Sequence, residues 1–250
     1  MKLQVFRTAA EAARAAAHVI ALRLRTDPYT VLGLPTGRTS VRVYDELARL
    51  HEAGRADFSK AHTFNLDEFV GLSAADRGSF RTFMEKHLFR RVNLPCDQVH
   101  FLNGRAADLE KECLRFELAI TDAGGIDVLL LGVGANGHIG FNEPAASLFA
   151  RTHRARLRPE TRRTNAARFG GRATAVPREA LSMGMATILG ARSIVLIATG
   201  RAKSRPVASL VTGRISPASP VSFLQLHPDV QVILDHAAAS RLHLPESFAH

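Results

Sequence analysis

Apolar residues recur along the chain in two alternating patterns, which predict strands and helices in turn. Short apolar runs predict strands, and longer segments with apolar residues at helical spacing predict amphipathic helices. The predicted strands span residues 3–6, 30–34, 62–66, 99–102, 126–133, 193–198 and 230–234. The predicted helices span residues 9–24, 41–53, 80–92, 106–123 and 202–211. Strands separated by helix-length segments favour right-handed crossovers and parallel pairing.

The pattern predicts one α/β domain over residues 1–250, built as a Rossmann-like open, mainly parallel sheet with helices on both faces. The glycine-bounded apolar run at 126–133 is the strongest strand signal in the chain. No internal repeat or linker divides the sequence. We expect the arginine-rich segment at about 151–177 to form an irregular insertion.

Composition narrows the function classes. Apolar residues make up 46% and charged residues 22% of the 250 positions, as in ordinary globular domains. Cys96 and Cys113 are too few for a disulfide framework and lack metal-ligand spacing, which predicts reduced thiols. We expect a cytoplasmic chain, since no apolar run is long enough to span a membrane and no clean leader pattern occurs. The net charge of +10 fits a polyanionic partner, but it does not by itself identify one.

Two turns that follow predicted strands have features of anion sites. Pro35-Thr36-Gly37-Arg38-Thr39 joins a strand to a helix, where backbone amides, hydroxyls and a guanidinium can converge on a phosphate. In Gly200-Arg201-Ala202-Lys203, a lysine lies near a helix N-terminus, which is unfavourable unless an anion binds between them. From these residues alone, an ordinary turn and a solvated lysine explain the two segments equally well.

Two adjacent acids, Asp67 and Glu68, follow the predicted strand at 62–66. A carboxylate at a strand end can act as a general base on a bound substrate. Side chains alternate along a strand, so at most one of the two acids faces the cleft. On these residues alone, Asp67 is better explained as a cap for the following turn.

The glycine-rich loop at 132–144 follows the strongest predicted strand and carries one imidazole and one carboxylate, His138 and Glu143. Glycines let the backbone bend closely around a ligand, and histidine exchanges protons near neutral pH. The loop matches the dinucleotide pattern GxGxxG, but no helix-like sequence follows it. This loop therefore predicts acid–base chemistry rather than dinucleotide binding.

Taken together, these motifs resemble the glucosamine-6-phosphate deaminase family. The order PTG-x-T, FN-x-DE-x-x-G, G-x-G-x-x-GHI-x-FNEP, T-G-x-x-K and LQLHP runs over essentially the whole chain. The family is related to 6-phosphogluconolactonases, whose corresponding loop typically lacks FNEP. The resemblance implies conversion of glucosamine 6-phosphate and water to fructose 6-phosphate and ammonia, without a metal or organic cofactor.

The resemblance also implies a role for each matching residue. Asp67 is the base that moves a proton between C2 and C1 through an enolamine. His138 opens the pyranose ring, assisted by Glu143 and by Asn136. The residues implied to bind the phosphate are Thr36, Gly37, Arg38, Thr39, Arg168 and Lys203.

Several positions depart from the family pattern. Asn136 stands where many members have aspartate, and an amide can only orient His138 by hydrogen bonding, because it cannot accept a proton. Arg38 replaces a small residue in the phosphate loop. Placing Arg168 requires a one-residue insertion, with Arg162 and Arg163 as the alternatives. His153 and Ala155 replace basic residues of allosterically regulated members, and the tail beyond Asp235 is shorter, so we expect no allosteric activation.

Other functions remain open at this stage. The motifs do not distinguish a galactosamine-6-phosphate deaminase or isomerase, and Asn136 also fits a non-catalytic sugar-phosphate-binding regulator. A lactonase would leave Asp67 and Glu143 unused. A nucleic-acid binder would explain the net charge and predicts affinity that falls steeply with salt. We expect a phosphorylated amino sugar as the partner, with no nucleic acid and no membrane, and leave open a homo-oligomer.

Overall fold

Seven parallel strands form the central sheet. The computed structural model describes residues 1–242, so the predicted difference in the tail beyond Asp235 falls largely outside the described residues. The strands of this sheet are β1 (Lys2–Phe6), β2 (Val31–Leu34), β3 (His62–Asn65), β5 (Val99–His100), β6 (Val128–Leu131), β9 (Ser193–Ala198) and β10 (Val230–Asp235). They lie side by side in the order β1, β10, β9, β6, β2, β3 and β5. The predicted Rossmann-like parallel sheet is confirmed.

Helices cover both faces of this sheet. They are α1 (Ala9–Thr26), α2 (Arg38–Glu52), α3 (Phe80–His87), α4 (Leu109–Asp122), α5 (Pro159–Asn165), α6 (Met185–Leu189), α7 (Ser204–Thr212) and α8 (His236–Ala239). Alternation along β6 supplies both layers, since Val128 and Leu130 pack with α1 and α2, whereas Leu129 and Leu131 pack on the opposite face. A strand buried on both faces reads as a continuous apolar run, which is why β6 is visible in the sequence.

A second, antiparallel sheet was not predicted. It contains β4 (Asp67–Phe69), β8 (Glu179–Ser182) and β7 (His153–Arg156), in that order. The prediction that 151–177 is irregular is wrong in part, because β7 and α5 lie within that segment. The arginines of this segment leave no apolar pattern that would predict a strand or a helix. The sequence of β7 is His-Arg-Ala-Arg, and only Ala155 is buried.

The chain passes from the large sheet to the small one at Leu66. The Leu66 amide bonds to Leu34 in the parallel sheet, and its carbonyl accepts from the Met183 amide after β8. Asp67, the first residue of β4, therefore lies at the junction of the two sheets. Within residues 1–242, no helix is long and apolar enough to cross a membrane.

One helix ends earlier in the structure than the sequence pattern predicts. The helix predicted over 80–92 ends at His87, because Leu88 leaves the helical region and a short 3₁₀ turn follows at Phe89–Arg91. Cys96 is exposed and Cys113 is buried, and both are free thiols, as predicted.

Candidate active site

The carboxyl ends of four neighbouring strands, β9, β6, β2 and β3, bring the predicted site segments other than Arg168 to one edge of the sheet. Between β6 and β2 the strand order reverses direction, since β3 follows on one side and β9 on the other. Ligands of open α/β sheets bind at such a switch point. The two loops that flank it are the predicted phosphate turn after β2 and the glycine-rich loop after β6.

Asp67 is a buried carboxylate that accepts no hydrogen bond among the described residues. Its residue is only 7% exposed, and Oδ1 has no hydrogen-bond partner within the described residues. Burial, and then the negative charge of Glu68, raise the pKa of Asp67 to about 7, although the charge of Arg168 opposes them. A carboxylate with a pKa near 7 can both take and return a proton at neutral pH.

The glycine-rich loop reaches Asp67 through Gly140. A Cβ atom placed on Gly140 would lie 3.8 Å from Asp67 Oδ2 and 3.0 Å from the Ser182 hydroxyl, and its φ of +55° is left-handed. The Phe141 amide donates to that hydroxyl at 3.0 Å. Glycine therefore allows the loop that carries His138 to lie directly against the buried acid.

Glu68, and not Asp67, acts as a cap. The sequence alone suggested that Asp67 caps the turn that follows it, whereas the structure places the Glu68 carboxylate at the N-terminus of α3. Its carboxylate accepts the Ser79 hydroxyl at 2.7 Å and the amides of Phe80 at 3.0 Å and Arg81 at 3.2 Å. These donors form the N-terminus of α3, where a negative charge is favourable. The expectation that only one acid faces the cleft agrees with this arrangement, in which Glu68 holds α3.

His138, Glu143 and Asn136 form one cluster within the loop after β6. His138 Nδ1 lies 3.5 Å from Glu143 Oε2, without a hydrogen bond between them. Asn136 Nδ2 donates to the same Glu143 oxygen at 2.9 Å. The imidazole covers Gly134, where a Cβ atom would lie 2.3 to 2.5 Å from the ring, so only glycine fits beneath it.

Asn136 bonds to both other members of this cluster. Oδ1 accepts from the His138 backbone amide at 3.2 Å, and Nδ2 donates to Glu143. The sequence predicted that Asn136 orients His138 by hydrogen bonding, and a bond to His138 is present at the backbone. That these bonds orient the imidazole stays a prediction.

Glu143 is held as an ionised carboxylate. Burial alone raises its pKa, but contacts with His138, Thr161 and Asn136 outweigh burial and hold the pKa at about 2. The Thr161 hydroxyl donates to Oε1, the oxygen that faces away from the cluster. Glu143 is therefore negatively charged throughout the neutral pH range.

The phosphate turn leads into the uncapped start of α2. Gly37 is the N-cap and no side chain caps the first turn, while Ser40 turns its hydroxyl back to the Gly37 carbonyl at 2.8 Å. The buried Tyr44 phenol donates to the Pro35 carbonyl and fixes the turn from below. First-turn amides without a side-chain cap form a suitable anion site.

Two cations from different loops lie near this turn. Lys203 is half-buried after β9, and burial, followed by the charge of Arg38, lowers its pKa. Within residues 1–242, neither side chain forms a salt bridge. Two like charges brought together without an acid favour binding of a polyanion.

Arg168 lies near the acids rather than near Lys203. Its guanidinium carbon is 4.2 Å from the centre of the Phe83 ring and 5.0 Å from that of Phe80. Burial lowers its pKa to about 10, against the opposing charges of Asp67 and Glu68. Among the described residues it forms no ion pair.

The two alternative arginines have other partners. Arg162 donates to the Val176 carbonyl at 2.9 Å, and Arg163 pairs with Glu160 at 2.7 Å on the surface. These contacts favour Arg168 as the arginine of the site. In the part of the chain that the structure describes, no group of three or more His, Cys, Asp or Glu side chains could hold a metal ion.

Sequence reasoning missed Ser182, Thr161, Tyr44 and Phe83. Thr161 follows a proline that indicates a helix start, but nothing in the sequence links it to Glu143, 18 residues earlier. Ser182 ends a short strand whose partner is β4, and neither strand was predicted. Only the tertiary structure brings these residues to the site.

Comparison with known proteins identifies the family. The model for glucosamine-6-phosphate isomerases/6-phosphogluconolactonase matches residues 6–233, most of the chain. The chain belongs to this family. Within the family, it is 46% identical over 227 residues to a glucosamine-6-phosphate deaminase of Alkaliphilus oremlandii, covering 91% of this chain and 94% of the relative. It is also 44% identical over 248 residues to a glucosamine-6-phosphate deaminase of Beutenbergia cavernae, covering 99% and 95%.

Solved structures agree with this assignment. The fold is similar to that of a monomeric glucosamine-6-phosphate deaminase, with a TM-score of 0.93, 41% identity and coverage of 96% of this chain and 100% of the other. A 6-phosphogluconolactonase from Trypanosoma cruzi has a TM-score of 0.76 at 21% identity, with 97% of each chain covered. The second likeness shows the shared fold alone.

Proposed function

We propose that this protein converts glucosamine 6-phosphate and water to fructose 6-phosphate and ammonia. The observation that carries the proposal is the unpartnered Oδ1 of Asp67, buried at the edge where the family loop with His138 and Glu143 closes against it. The deaminases at 44–46% identity over nearly the whole chain support the same reaction.

Ring opening is the role we propose for His138. The imidazole takes up the 1-hydroxyl proton and delivers a proton to the ring oxygen as the bond between C1 and the ring oxygen breaks, and the sugar becomes an open aldehyde. Glu143 remains ionised, because its pKa is about 2, and stabilises a protonated imidazole 3.5 Å away. Asn136 holds Glu143 in place through its amide.

Proton transfer between carbons is the role we propose for Asp67. The carboxylate removes the C2 proton while the C1 oxygen gains a proton, which gives an enolamine. It then returns its proton to C1 while the nitrogen loses one, which leaves a C2 imine and a 1-hydroxyl. Water adds to that imine and ammonia departs, giving fructose 6-phosphate. A pKa of about 7 lets the same carboxyl group serve as base and then as acid.

The phosphate, in our proposal, binds at the start of α2. The amides of that first turn and the hydroxyls of Thr36 and Thr39 surround the anion, with Arg38 and Lys203 supplying positive charge. Arg168 provides a further cation from the side of the acids. This arrangement places the phosphate at one loop and the acid–base groups at its neighbours.

We also propose that the enzyme works in the cytoplasm, where free thiols such as Cys96 and Cys113 remain reduced. Its partner in this proposal is the phosphorylated amino sugar alone, with no nucleic acid. Its oligomeric state is to be measured by light scattering with and without substrate.

The deciding experiment is ammonia release from glucosamine 6-phosphate, followed by a coupled assay and by detection of fructose 6-phosphate. Galactosamine 6-phosphate and 6-phosphogluconolactone serve as competing substrates in parallel reactions. We expect stoichiometric ammonia and fructose 6-phosphate from the gluco sugar at the highest kcat/KM. Faster turnover of either competitor, or tight sugar-phosphate binding without turnover, would contradict the proposal.

A further inference from the structure

The Thr161 hydroxyl makes a contact that the proposed mechanism does not use. Thr161 lies on α5, is only 2% exposed, and donates its hydroxyl to Glu143 Oε1. The other carboxylate oxygen, Oε2, accepts from Asn136 at 2.9 Å and faces His138 at 3.5 Å. The two oxygens therefore have separate partners, one on α5 and one within the loop.

A second bond joins the same two segments. The Arg158 guanidinium, just before α5, donates to the carbonyl of Pro144, the residue after Glu143. Thr161 is itself fixed, because its carbonyl accepts the Asn165 amide group at 2.9 Å and the Thr164 hydroxyl at 2.8 Å. The start of α5 therefore supports the loop rather than merely covering it.

Carboxylate orientation decides what Glu143 can do for His138. The terminal torsion of a glutamate is broad, so a carboxylate with one fixed contact can still turn. A donor on the second oxygen removes that freedom and keeps Oε2 directed at the ring. We propose that Thr161 is a positioning residue that fixes Glu143 against His138 for ring opening, an inference that rests on the function proposed above.

The test exchanges the hydroxyl for a methyl group of the same shape. Thr161→Val should lower kcat about 10- to 100-fold, because a small misplacement of a catalytic contact has effects of that order. KM should change less than about twofold, since the phosphate contacts remain. Thr161→Ser, which retains the donor, should restore most of kcat.

Thr152 provides a matched control. Its hydroxyl donates to Glu117 Oε1 at 2.6 Å, so Thr152→Val breaks another threonine–glutamate bond away from the site. We expect Thr152→Val to leave kcat unchanged. Equal losses of kcat and of melting temperature in Thr161→Val and Thr152→Val would reduce Thr161 to a structural residue and overturn the inference.

Two further readouts separate positioning from folding. The titratable group that faces Glu143 is His138 from its own loop, while the Arg158 guanidinium, just before α5, bonds to the Pro144 carbonyl next to Glu143. Loss of the Thr161 donor weakens the ionised form of Glu143, so the pKa of the Glu143 carboxyl, followed by NMR titration, should rise from about 2 in Thr161→Val but not in Thr161→Ser. An unchanged pKa in Thr161→Val would contradict the inference.

The second readout does not need turnover. The Asn136 side-chain amide donates to the positioned carboxylate, so its NMR signal should shift in Thr161→Val, return in Thr161→Ser and stay unchanged in Thr152→Val. An unshifted signal would overturn the inference even in an active enzyme. Failure of the wild-type protein to release ammonia would instead overturn the proposed function, while the amide signal still decides the role of Thr161.

Discussion

Asp67 and Ser182 lie directly opposite each other across the antiparallel strands β4 and β8, yet Asp67 Oδ1 has no hydrogen-bond partner within the described residues. The Ser182 hydroxyl donates to the Met183 carbonyl at 3.3 Å and accepts from the Phe141 amide instead. A buried polar atom without a partner is costly, and in native proteins it is commonly associated with function. The small sheet therefore holds Asp67 as a buried carboxylate whose Oδ1 is not engaged by a neighbouring donor among the described residues.

Asp67→Asn should abolish turnover while substrate binding persists. An amide cannot accept the C2 proton, and removal of a general base typically lowers the rate about 10²- to 10⁴-fold. Ammonia release and deuterium exchange at the substrate carbon should both be lost, with Kd measured by calorimetry nearly unchanged. Asp45→Asn, at an exposed position on α2, is the matched control. Exchange retained in Asp67→Asn would assign the base elsewhere.

The same substitution should stabilise the fold at alkaline pH. The pKa of Asp67 is raised to about 7 by burial, so the folded state binds more protons than the unfolded state between about pH 4 and 7, and stability falls over that window. Asp67→Asn removes this penalty. Its gain in free energy of unfolding, measured with urea, should be up to ~4 kcal/mol larger at pH 8 than at pH 4. An identical gain at both pH values would show that burial does not perturb this carboxyl.

Lys203→Ala and Arg168→Ala should chiefly weaken binding of the phosphorylated sugar. Charged hydrogen bonds to phosphate are worth roughly 1.5–3 kcal/mol, or about ten- to over a hundredfold in affinity. Unphosphorylated glucosamine should bind poorly to the wild type and respond little to either change. Arg163→Ala is the control, since Arg163 pairs with Glu160 on the surface. If only Arg163→Ala raised KM, Arg168 would not be the phosphate arginine.

Asn136→Asp should keep the enzyme folded and active. The limb of its activity–pH profile that is linked to His138 should move to higher pH. The amide now donates to Glu143 Oε2 at 2.9 Å, so aspartate would place a second carboxylate beside the first. Two neighbouring negative charges favour a protonated group nearby, including the imidazole of His138. The profiles should be compared on ring-closed glucosamine 6-phosphate, for which ring opening is required. Coincident profiles would exclude position 136 from the acid–base cluster.

Phe83→Leu should raise KM for glucosamine 6-phosphate with little change in kcat. The Arg168 guanidinium carbon lies 4.2 Å from the Phe83 ring centre, and a contact of this type is worth about 0.5–2 kcal/mol. Phe83→Tyr retains the ring face and should behave like the wild type. Phe101→Leu is the control, because the Phe101 ring contacts Arg81 rather than Arg168. The Arg81 guanidinium carbon lies 5.3 Å from the centre of that ring. Equal effects of the two leucine variants would point to general packing.

The sequence predicted the large sheet well because its inner strands, such as β2, β6 and β9, are buried on both faces. β9 matches the predicted span 193–198, and β6 lies inside the predicted run. The small sheet was missed because its strands are short and polar: β4 reads Asp-Glu-Phe and β7 reads His-Arg-Ala-Arg. Their pairing depends on contacts between distant segments, which local hydrophobic period does not report.

The candidate site was also predicted only in part from the sequence. Strand alternation limited the cleft to one of the two adjacent acids, but only the structure shows that Glu68 caps α3. The motif order located the loop with His138 and Glu143. It did not reveal that Asn136 bonds to Glu143 rather than to the ring, because that contact depends on how the turn folds.

The uncapped start of α2 has a consequence for the living cell. An anion at that turn would do for the helix what a capping side chain does elsewhere, so binding and folding would share one free energy. A ligand at a hundred times its Kd adds about 2.7 kcal/mol to the native state. The melting temperature of the enzyme would then rise with the concentration of the phosphorylated sugar that it binds. The hydrogen exchange of the α2 amides would slow in parallel.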